Sequence, residues 1–269
     1  MGNSMKILTF VKHVPTSAVT PRIAEAGDRI EESGLQYEAN EADIYAIEEA
    51  VHQKGEAGGG EIIAATIGPD RAKEALHLAY AKGVDKVIHV MDPVSGGNDA
   101  GVNRSAAEAV ANKVGPDLIL CGVQAEDDLQ GEFGISLGQA LEIPVITAVT
   151  EINLDTDQKT ATVVREIGAG FKEEIEVDLP CVLTIQYGIR QLRYTPIMQL
   201  VRMRKKPIET LDLADLGVAA TGTRGGMRVV RLAYPEAGGH CQVLDGAPGE
   251  ATDKLVRQLA EIGVLKDAG

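Results

Sequence analysis

Residues 117–128 read DLILCGVQAEDD: the apolar run Leu118–Cys121 stops at Gly122, and a polar loop with two adjacent carboxylates, Asp127 and Asp128, leads to a helix-like segment from Glu132 towards Leu141. Strand, tight turn and helix in that order form the grammar of an α/β nucleotide site. In such sites a ligand lies beyond the carboxyl ends of parallel strands, and a helix N-terminus turns backbone N–H groups towards an anion. Asp127 suits a backbone N–H or a ribose hydroxyl as partner. Both carboxylates equally read as a solvated turn and helix cap.

Other chemistry finds little support. Lys12, at the end of the first apolar run, matches a phosphate in charge, and His13 beside it is either a nucleotide contact or a solvated loop imidazole. His52, His77, His89 and His240 are scattered and form no ligand cluster. Cys121, Cys181 and Cys241 are isolated, which argues against zinc, an iron–sulfur cluster or a disulfide framework, and Cys121 reads as a packing residue. Ser136, in GISLG, lacks the strand-to-helix elbow of a hydrolase. Glu48-Glu49 reads as the polar face of a helix, and there is no GK[ST] phosphate loop. The pattern favours binding over catalysis.

The 269-residue chain carries a formal charge of −14, 3% aromatic residues and no Trp. An acidic surface repels nucleic acid and anionic membrane, and a stacking platform for single strands is absent. No apolar run approaches the roughly 20 residues of a membrane span. The start moves from a short polar leader straight into a strand, without the look of a signal peptide, and the cysteine usage suggests a reducing compartment, the cytoplasm by default with an organelle matrix as the alternative.

Strands are predicted at Lys6–Val11, Glu61–Ile67, Lys86–Val90 and Leu118–Cys121, and helices at Asp43–Gln53, Arg71–Lys82 (stopped by Gly83) and Asn103–Val114. Alternation of this kind implies parallel β-α-β units, and runs without polar alternation imply strands covered on both faces. After Pro144 the pattern becomes an antiparallel meander, Val145–Asn153, Thr160–Ile167 and Glu173–Val177, lying at one end of the sheet, followed by the buried run Leu179–Ile185. Gly188–Pro207 mixes Arg190, Arg193, Arg202, Arg204, Lys205 and Lys206 with Ile197, Met198, Leu200, Val201 and Met203. The remainder is rich in turn formers, with one strand expected at Arg228–Leu232 and a final helix at about Glu250–Ile262. So long an unpatterned stretch suits an arm lying on a partner, ended by a docked helix, better than a loop in a compact domain.

The order of these segments resembles the beta subunit of electron transfer flavoproteins. The resemblance rests on VKHVP from Val11 to Pro15, NEADIYAIEEA from Asn40 to Ala50, the strand end Gly68-Pro69, GVDKVIHV from Gly83 to Val90, and Gly122, Gln124, Ala125 and Asp127 after the fourth strand. It continues through REIGAG from Arg165 to Gly170, LPCVLT from Leu179 to Thr184, Arg193-Tyr194, RKKP from Arg204 to Pro207 and the terminal LVRQLAEIG from Leu255 to Gly263. Each motif is weak alone; their joint order and spacing are specific and span nearly the whole chain.

The resemblance implies a doubly wound, mostly parallel α/β sheet, Rossmann-like and adenine nucleotide-binding, with a small antiparallel extension and a C-terminal partner-wrapping arm and helix. Residues 1–187 would form the nucleotide-binding domain, and residues 188–269 an arm and terminal helix docking on the alpha subunit. It further implies a heterodimer whose alpha subunit shares the redox FAD, with AMP in this subunit, or a second FAD as in electron-bifurcating members. Electrons would pass from acyl-CoA or similar client dehydrogenases towards a quinone oxidoreductase or similar acceptor, without a catalytic side chain in this subunit. Carried over by position, the nucleotide residues are Val11, Lys12, His13, Asn40, Thr66, Gly68, Gly122, Gln124, Asp127, Gly131, Phe133 and Gly134; the partner-binding residues are Arg193, Tyr194, Ile197 and Met198, Ile197 replacing the leucine that docks on clients.

Departures from the family pattern fall at the same places. Glu41 replaces a proline, Ala42 an aromatic residue that touches the flavin, and an aromatic of the first loop is missing near Ser17. Gly131, Glu132, Phe133, Gly134 and Ile135 stand where Thr, Asn or Gln side chains meet phosphate, and Gln130-Gly131-Glu132 replaces the Thr-Ala-Gln run of bifurcating members, which favours AMP or a degenerate site over a second FAD. Two other functions compete on the same fold: a stand-alone adenine-nucleotide-binding regulator, for which the arm is superfluous, and an enzyme acting on adenylated substrates, for which catalytic groups are lacking.

Overall fold

A computed structural model describes residues 5–93, 98–219, 229–235 and 241–265. Its larger unit is built on a nine-stranded sheet. In chain order the elements are β1 (Lys6–Phe10), β2 (His13–Pro15), β3 (Tyr37–Ala39), α1 (Glu41–Glu56), β4 (Glu61–Gly68), α2 (Lys73–Lys82), β5 (Lys86–Met91), α3 (Ala100–Val114), β6 (Leu118–Gly122) and α4 (Phe133–Leu141). They continue as β7 (Val145–Asp155), β8 (Thr160–Gly168), β9 (Phe171–Asp178), β10 (Cys181–Ile185), α5 (Ile197–Met203), β11 (Glu209–Asp212) and α6 (Pro248–Glu261). The spatial order is β11-β5-β4-β1-β6-β10-β7-β8-β9.

The strands from β11 to β10 run parallel, and β7 changes partner along its length. Its first residues pair parallel with β10 (Val145 opposite Val182), and its later ones antiparallel with β8 (Ile152 opposite Val163). The expected meander is therefore the far end of one mixed sheet.

Both faces of the sheet are covered, which is why its central strands show no polar alternation. On one face Ile7, Ile62, Leu118, Leu120 and Leu183 pack with Ala46, Ile47 and Ala50 of α1 and Ala75, Leu76 and Ala79 of α2. On the other, Leu8, Phe10, Ile63 and Ile119 pack with Val102, Ala106 and Val110 of α3 and Leu137 of α4. Truncating a fully buried leucine such as Leu76 to Ala costs about 2–5 kcal/mol in such a setting. Gly83 closes α2 in the left-handed conformation (φ 113°), as its sequence position predicts.

Several expectations are revised. The hairpin of β2 and β3 is absent from the sequence reading because each strand has three residues, too few to show a period. A 3₁₀ turn, Asp70–Ala72, precedes α2. The boundary expected near residue 187 falls later, because the following segment packs back on the same unit. There β11 pairs parallel with β5 (Glu209 opposite Ile88), and Leu213 is buried in the core beneath α3. Larger apolar side chains are sparse here, so the sequence reads as arm. No strand forms at 229–232, and Arg228 lies outside the described residues, as does His240.

A smaller unit comprises residues 23–29 with the chain from 230 onward. Within it Leu232 N–H donates to Gly27 C=O (2.7 Å), and Ile23 N–H donates to the Tyr234 hydroxyl (3.1 Å). Pro248 begins α6, where a missing N–H costs nothing. Leu255, Val256, Leu259 and Ile262 make an apolar stripe on this helix, and none of its residues is buried.

Candidate functional site: a crevice at the sheet's switch point

From β1 the chain winds outward to β4 and β5, then crosses back to β6 on the other side of β1. The connections leaving β1 and β6 therefore diverge, and an open α/β sheet has its natural crevice at such a reversal, beyond the strand carboxyl ends. A cavity of about 470 Å³ lies there, lined by the end of β1 (Phe10, Val11, Lys12), the end of β4 (Ala65, Thr66, Ile67), the start of α1, the loop after β6 and the first turn of α4. That volume falls in the ordinary range for a small-molecule site.

Asp43 holds the floor together. Its Oδ2 accepts the Lys12 N–H (2.9 Å) and its Oδ1 the Gly122 N–H (2.8 Å), so one carboxylate bridges the ends of β1 and β6. Burial pushes its carboxyl up to about 6, against the opposing pull of these N–H groups and Asn40. Gly122 is required by close approach: a Cβ there would stand 2.6 Å from Ala42 Cβ and 2.6 Å from Asp43 Oδ1. Ala42 is fully buried beneath Gly122, so the residue expected at an outward flavin contact faces the interior.

Asn40 is buried and fastens the loop after β6: its Nδ2 donates to Gln124 C=O (3.0 Å), and its Oδ1 accepts Glu126 N–H (3.1 Å). Thr66 Oγ1 donates to Val11 C=O (2.7 Å), tying β4 to β1 at the rim. Lys12 Nζ lies 2.7 Å from Asp127 and 3.0 Å from Asp128. Burial acts to lower the Lys12 ammonium, but the two carboxylates outweigh it and hold the pKa above its ordinary value. The ammonium is thus fixed across the crevice mouth by acids, and a phosphate reaching it must compete with them. Phe133 opens α4 edge-on to Phe10, ring centroids 5.2 Å apart. Gly131 precedes it at φ 62°, and the first-turn N–H groups of α4 have no intrahelical partners.

Of the residues singled out by sequence, Val11, Lys12, Asn40, Thr66, Gly122, Gln124, Gly131 and Phe133 line the cavity. Asp127 stands behind it as the counter-ion of Lys12. Gly134 packs inward, since a Cβ there would be 2.5 Å from Thr184 Cγ2 and 2.8 Å from Cys121 Sγ. Gly68 supplies its carbonyl to His89 Nε2 (3.0 Å) and Asp92 N–H (3.0 Å) and is not in the lining. His13 is turned away in β2, stacked at 5.5 Å on Tyr37, and burial together with the Arg71 guanidinium lowers its imidazole to about 4. Cys121 is buried, and burial drives its thiol far above the ordinary value.

Asp43 escapes sequence reasoning because an acid in the first turn of a helix reads as ordinary helix-dipole compensation. Asn98, Asp99, Ala100 and Asn103, at the start of α3, also line the cavity, and Asp99 caps that helix by accepting Val102 N–H (3.0 Å). An Asp ahead of an alanine-rich helix was the available signal.

Glu48 and Glu49 are not on a polar helix face. Glu48 is 4% exposed and Glu49 fully buried, because the segment after β10 covers that side of α1 with Arg190 and Arg193. Of the expected partner-binding residues, Tyr194 (83%), Ile197 (71%) and Met198 (67%) are exposed, whereas the Arg193 guanidinium is bound to Glu48. Among the described residues no group of three His, Cys, Asp or Glu could hold a metal ion, and no helix is long and apolar enough to cross a membrane.

The family described as "Electron transfer flavoprotein domain" matches residues 29–216. The electron transfer flavoprotein subunit beta of Methylophilus methylotrophus is 32% identical over 260 residues, covering 96% of this chain and 98% of that protein. The Bos taurus electron transfer flavoprotein subunit beta is 32% identical over 262 residues, covering 96% and 98%. The Caffeyl-CoA reductase-Etf complex subunit CarD of Acetobacterium woodii is 32% identical over 266 residues, covering 97% and 100%. With these full-length matches and a crevice at the switch point of a mostly parallel sheet, the chain belongs to the electron transfer flavoprotein family, as a beta subunit.

Proposed function

We propose that this chain carries AMP in the crevice above Gly122 and pairs with an alpha subunit that holds the redox FAD. The pair relays electrons from flavin dehydrogenases, such as those acting on acyl-CoA, towards a quinone oxidoreductase or similar acceptor. The observation that carries the nucleotide reading is the cavity itself: about 470 Å³, walled by the apolar Phe10, Val11, Ile67 and Phe133, with the first turn of α4 at one end. Val11, Thr66 and Gln124 line the adenosine portion, and the N–H groups opening α4 receive the phosphate. The single phosphate of AMP suits a site whose lining lysine, Lys12, is already paired with Asp127 and Asp128. AMP would supply bulk and charge that set the fold of these loops; electron exchange belongs to the flavin of the partner. The side chains of this chain bind and position, and none transfers a proton or forms a bond.

The apolar stripe of α6 fits the role of the arm's anchor on the alpha subunit, and the exposed Tyr194, Ile197 and Met198 fit a docking patch for a client. Heat release of small molecules from the purified two-subunit complex, followed by chromatography and mass spectrometry, tests the reading: one AMP per complex is expected beside one FAD. Absence of any adenine compound besides the FAD overturns it. Two FAD and no AMP would favour the bifurcating alternative, which the match to a subunit of a caffeyl-CoA reductase complex keeps in view.

A further inference from the structure

We propose that Glu48 and Glu49 are positioning residues, buried carboxylates on α1 that clasp Arg193 and Arg190 and thereby hold residues 194–203 preshaped for docking a flavin dehydrogenase. The inference rests on the docking reading of Tyr194, Ile197 and Met198.

Residues 197–203 form α5, a helix with no buried residue, preceded by an exposed Tyr194. Two turns of helix with so little burial are marginal in water without outside support. That support is applied on both sides of the patch. Upstream, Glu48 accepts from Arg193 Nε (2.6 Å), Arg193 N–H (3.2 Å) and Lys82 Nζ (2.6 Å), while the Arg193 guanidinium donates back to Lys82 C=O (2.7 Å) and Lys82 Nζ donates to Arg193 C=O (3.1 Å). Glu49 accepts from Arg190 Nε (2.7 Å) and from Gln53 Nε2 (2.6 Å). Downstream, the Tyr80 hydroxyl donates to Pro207 C=O (2.8 Å) and Lys206 Nζ sits 4.5 Å over the Tyr80 ring. Inside the patch, Gln199 Nε2 donates to Ala81 C=O (2.6 Å).

The anchors named above are polar, Met203 at the end of α5 packs against the core, and Tyr194, Ile197, Met198 and Val201 remain exposed. The acids of these pairs are buried while the Arg193 and Arg190 side chains are 56% and 37% exposed; an ion pair with a buried acid gives little net stability against an apolar substitute, and its firm consequence is geometry. Here the geometry spends polar groups on the inner side, leaving the apolar anchors free for a partner. An ordered patch avoids the entropy cost of immobilising its side chains at the moment of binding.

The test uses the purified two-subunit complex carrying Glu48→Gln, Arg193→Gln or Ile197→Ala. It is assayed as electron acceptor of an acyl-CoA dehydrogenase, and amide hydrogen exchange is followed over residues 190–207. Glu48→Gln is expected to speed exchange over 194–203 about tenfold or more and to raise the KM for the complex about fivefold at unchanged kcat and flavin content. If Glu48→Gln does not fold, Arg193→Gln carries the same expectation, since it leaves the buried Glu48–Lys82 pair intact. Unchanged exchange, or faster exchange with unchanged KM while Ile197→Ala raises KM, overturns the clasp and leaves the docking reading standing. An unchanged KM in Ile197→Ala as well overturns the docking reading and the clasp with it.

Discussion

Gly122→Ala probes the crevice floor most directly. The added methyl would stand 2.6 Å from Ala42 Cβ, 2.6 Å from Asp43 Oδ1 and 2.7 Å from the Ala42 carbonyl carbon. Non-bonded atoms of this kind settle at about 3.5–4.0 Å, so three contacts fall short by about 1 Å. One of the three is backbone, and no rotamer change relieves it; α1 must move away from β6. Overpacking of this sort costs about 1–3 kcal/mol. A displacement near 1 Å also lengthens the 2.8 Å bond from Gly122 N–H to Asp43 beyond useful range, and a bond to a charged acceptor contributes about 1.5–3 kcal/mol. Together the loss is about 2.5–6 kcal/mol, which at about 2–4 °C per kcal/mol for a domain of this size lowers Tm by about 5–24 °C. Thermal unfolding followed by circular dichroism measures it, with Gly131→Ala as control. That residue has φ 62° and a methyl 3.2 Å from Val123 C=O, so it loses about 1–2 kcal/mol. Equal Tm values for Gly122→Ala and the parent chain would show that α1 and β6 do not meet as described.

Asp43 makes a pH prediction. Its carboxyl rises from 3.8 in the unfolded chain to about 6 when folded, so between those values the folded chain holds the extra proton and its stability falls as pH rises. Relative to Asp43→Asn, the parent chain is expected to lose about 2 kcal/mol between pH 4 and pH 7 in urea unfolding, and parallel profiles would refute the assignment. Thr66→Val removes the hydroxyl that ties β4 to Val11 C=O; a loss of about 1–3 kcal/mol is expected because that carbonyl is left unpaired, and a neutral result would place water there.

The central strands were legible because burial on both faces writes itself as unbroken apolar runs, and Gly83 stops α2 where only a left-handed residue fits. The meander was legible from its period-two runs. What escaped had little apolar signal to give. The β2–β3 hairpin is three residues a side, and β11, ETLD, joins the sheet through backbone pairing with β5 and the single buried Leu213 beyond it. Residues 188–207 read as arm because much of their attachment to α1 and α2 is polar, ionic through Arg190 and Arg193 and by a neutral hydrogen bond through Gln199, and a basic run shows nothing of the buried acids it will meet.

The crevice divides the same way. Glycine at 122 announces close approach, and the loop after β6 announces a site; but the sequence assigns the polar residues outward roles that the structure turns inward. Asn40 spends both ends of its amide on Gln124 and Glu126, Lys12 spends its charge on Asp127 and Asp128, and Asp43 spends both oxygens on backbone. These groups shape the walls and spend their polarity on the protein itself, whereas Gln124, Gln130 and Ser136 are further polar side chains of the lining. On the proposed reading, the phosphate is received by the backbone N–H groups opening α4 and the rest of the nucleotide by shape. Such a site tolerates change in side-chain identity, which is how Gly131, Glu132 and Phe133 can stand at positions where relatives are expected to carry Thr, Asn or Gln. On the AMP reading proposed above, selectivity would rest on the fit between Phe10, Thr66 and Phe133 more than on charge. Lys12→Met should accordingly loosen the loop that holds Asp127 and Asp128 more than it weakens AMP retention. An AMP content that falls in step with loss of the Lys12 ammonium, with the loop's amide exchange unchanged, would instead make that ammonium a direct phosphate ligand.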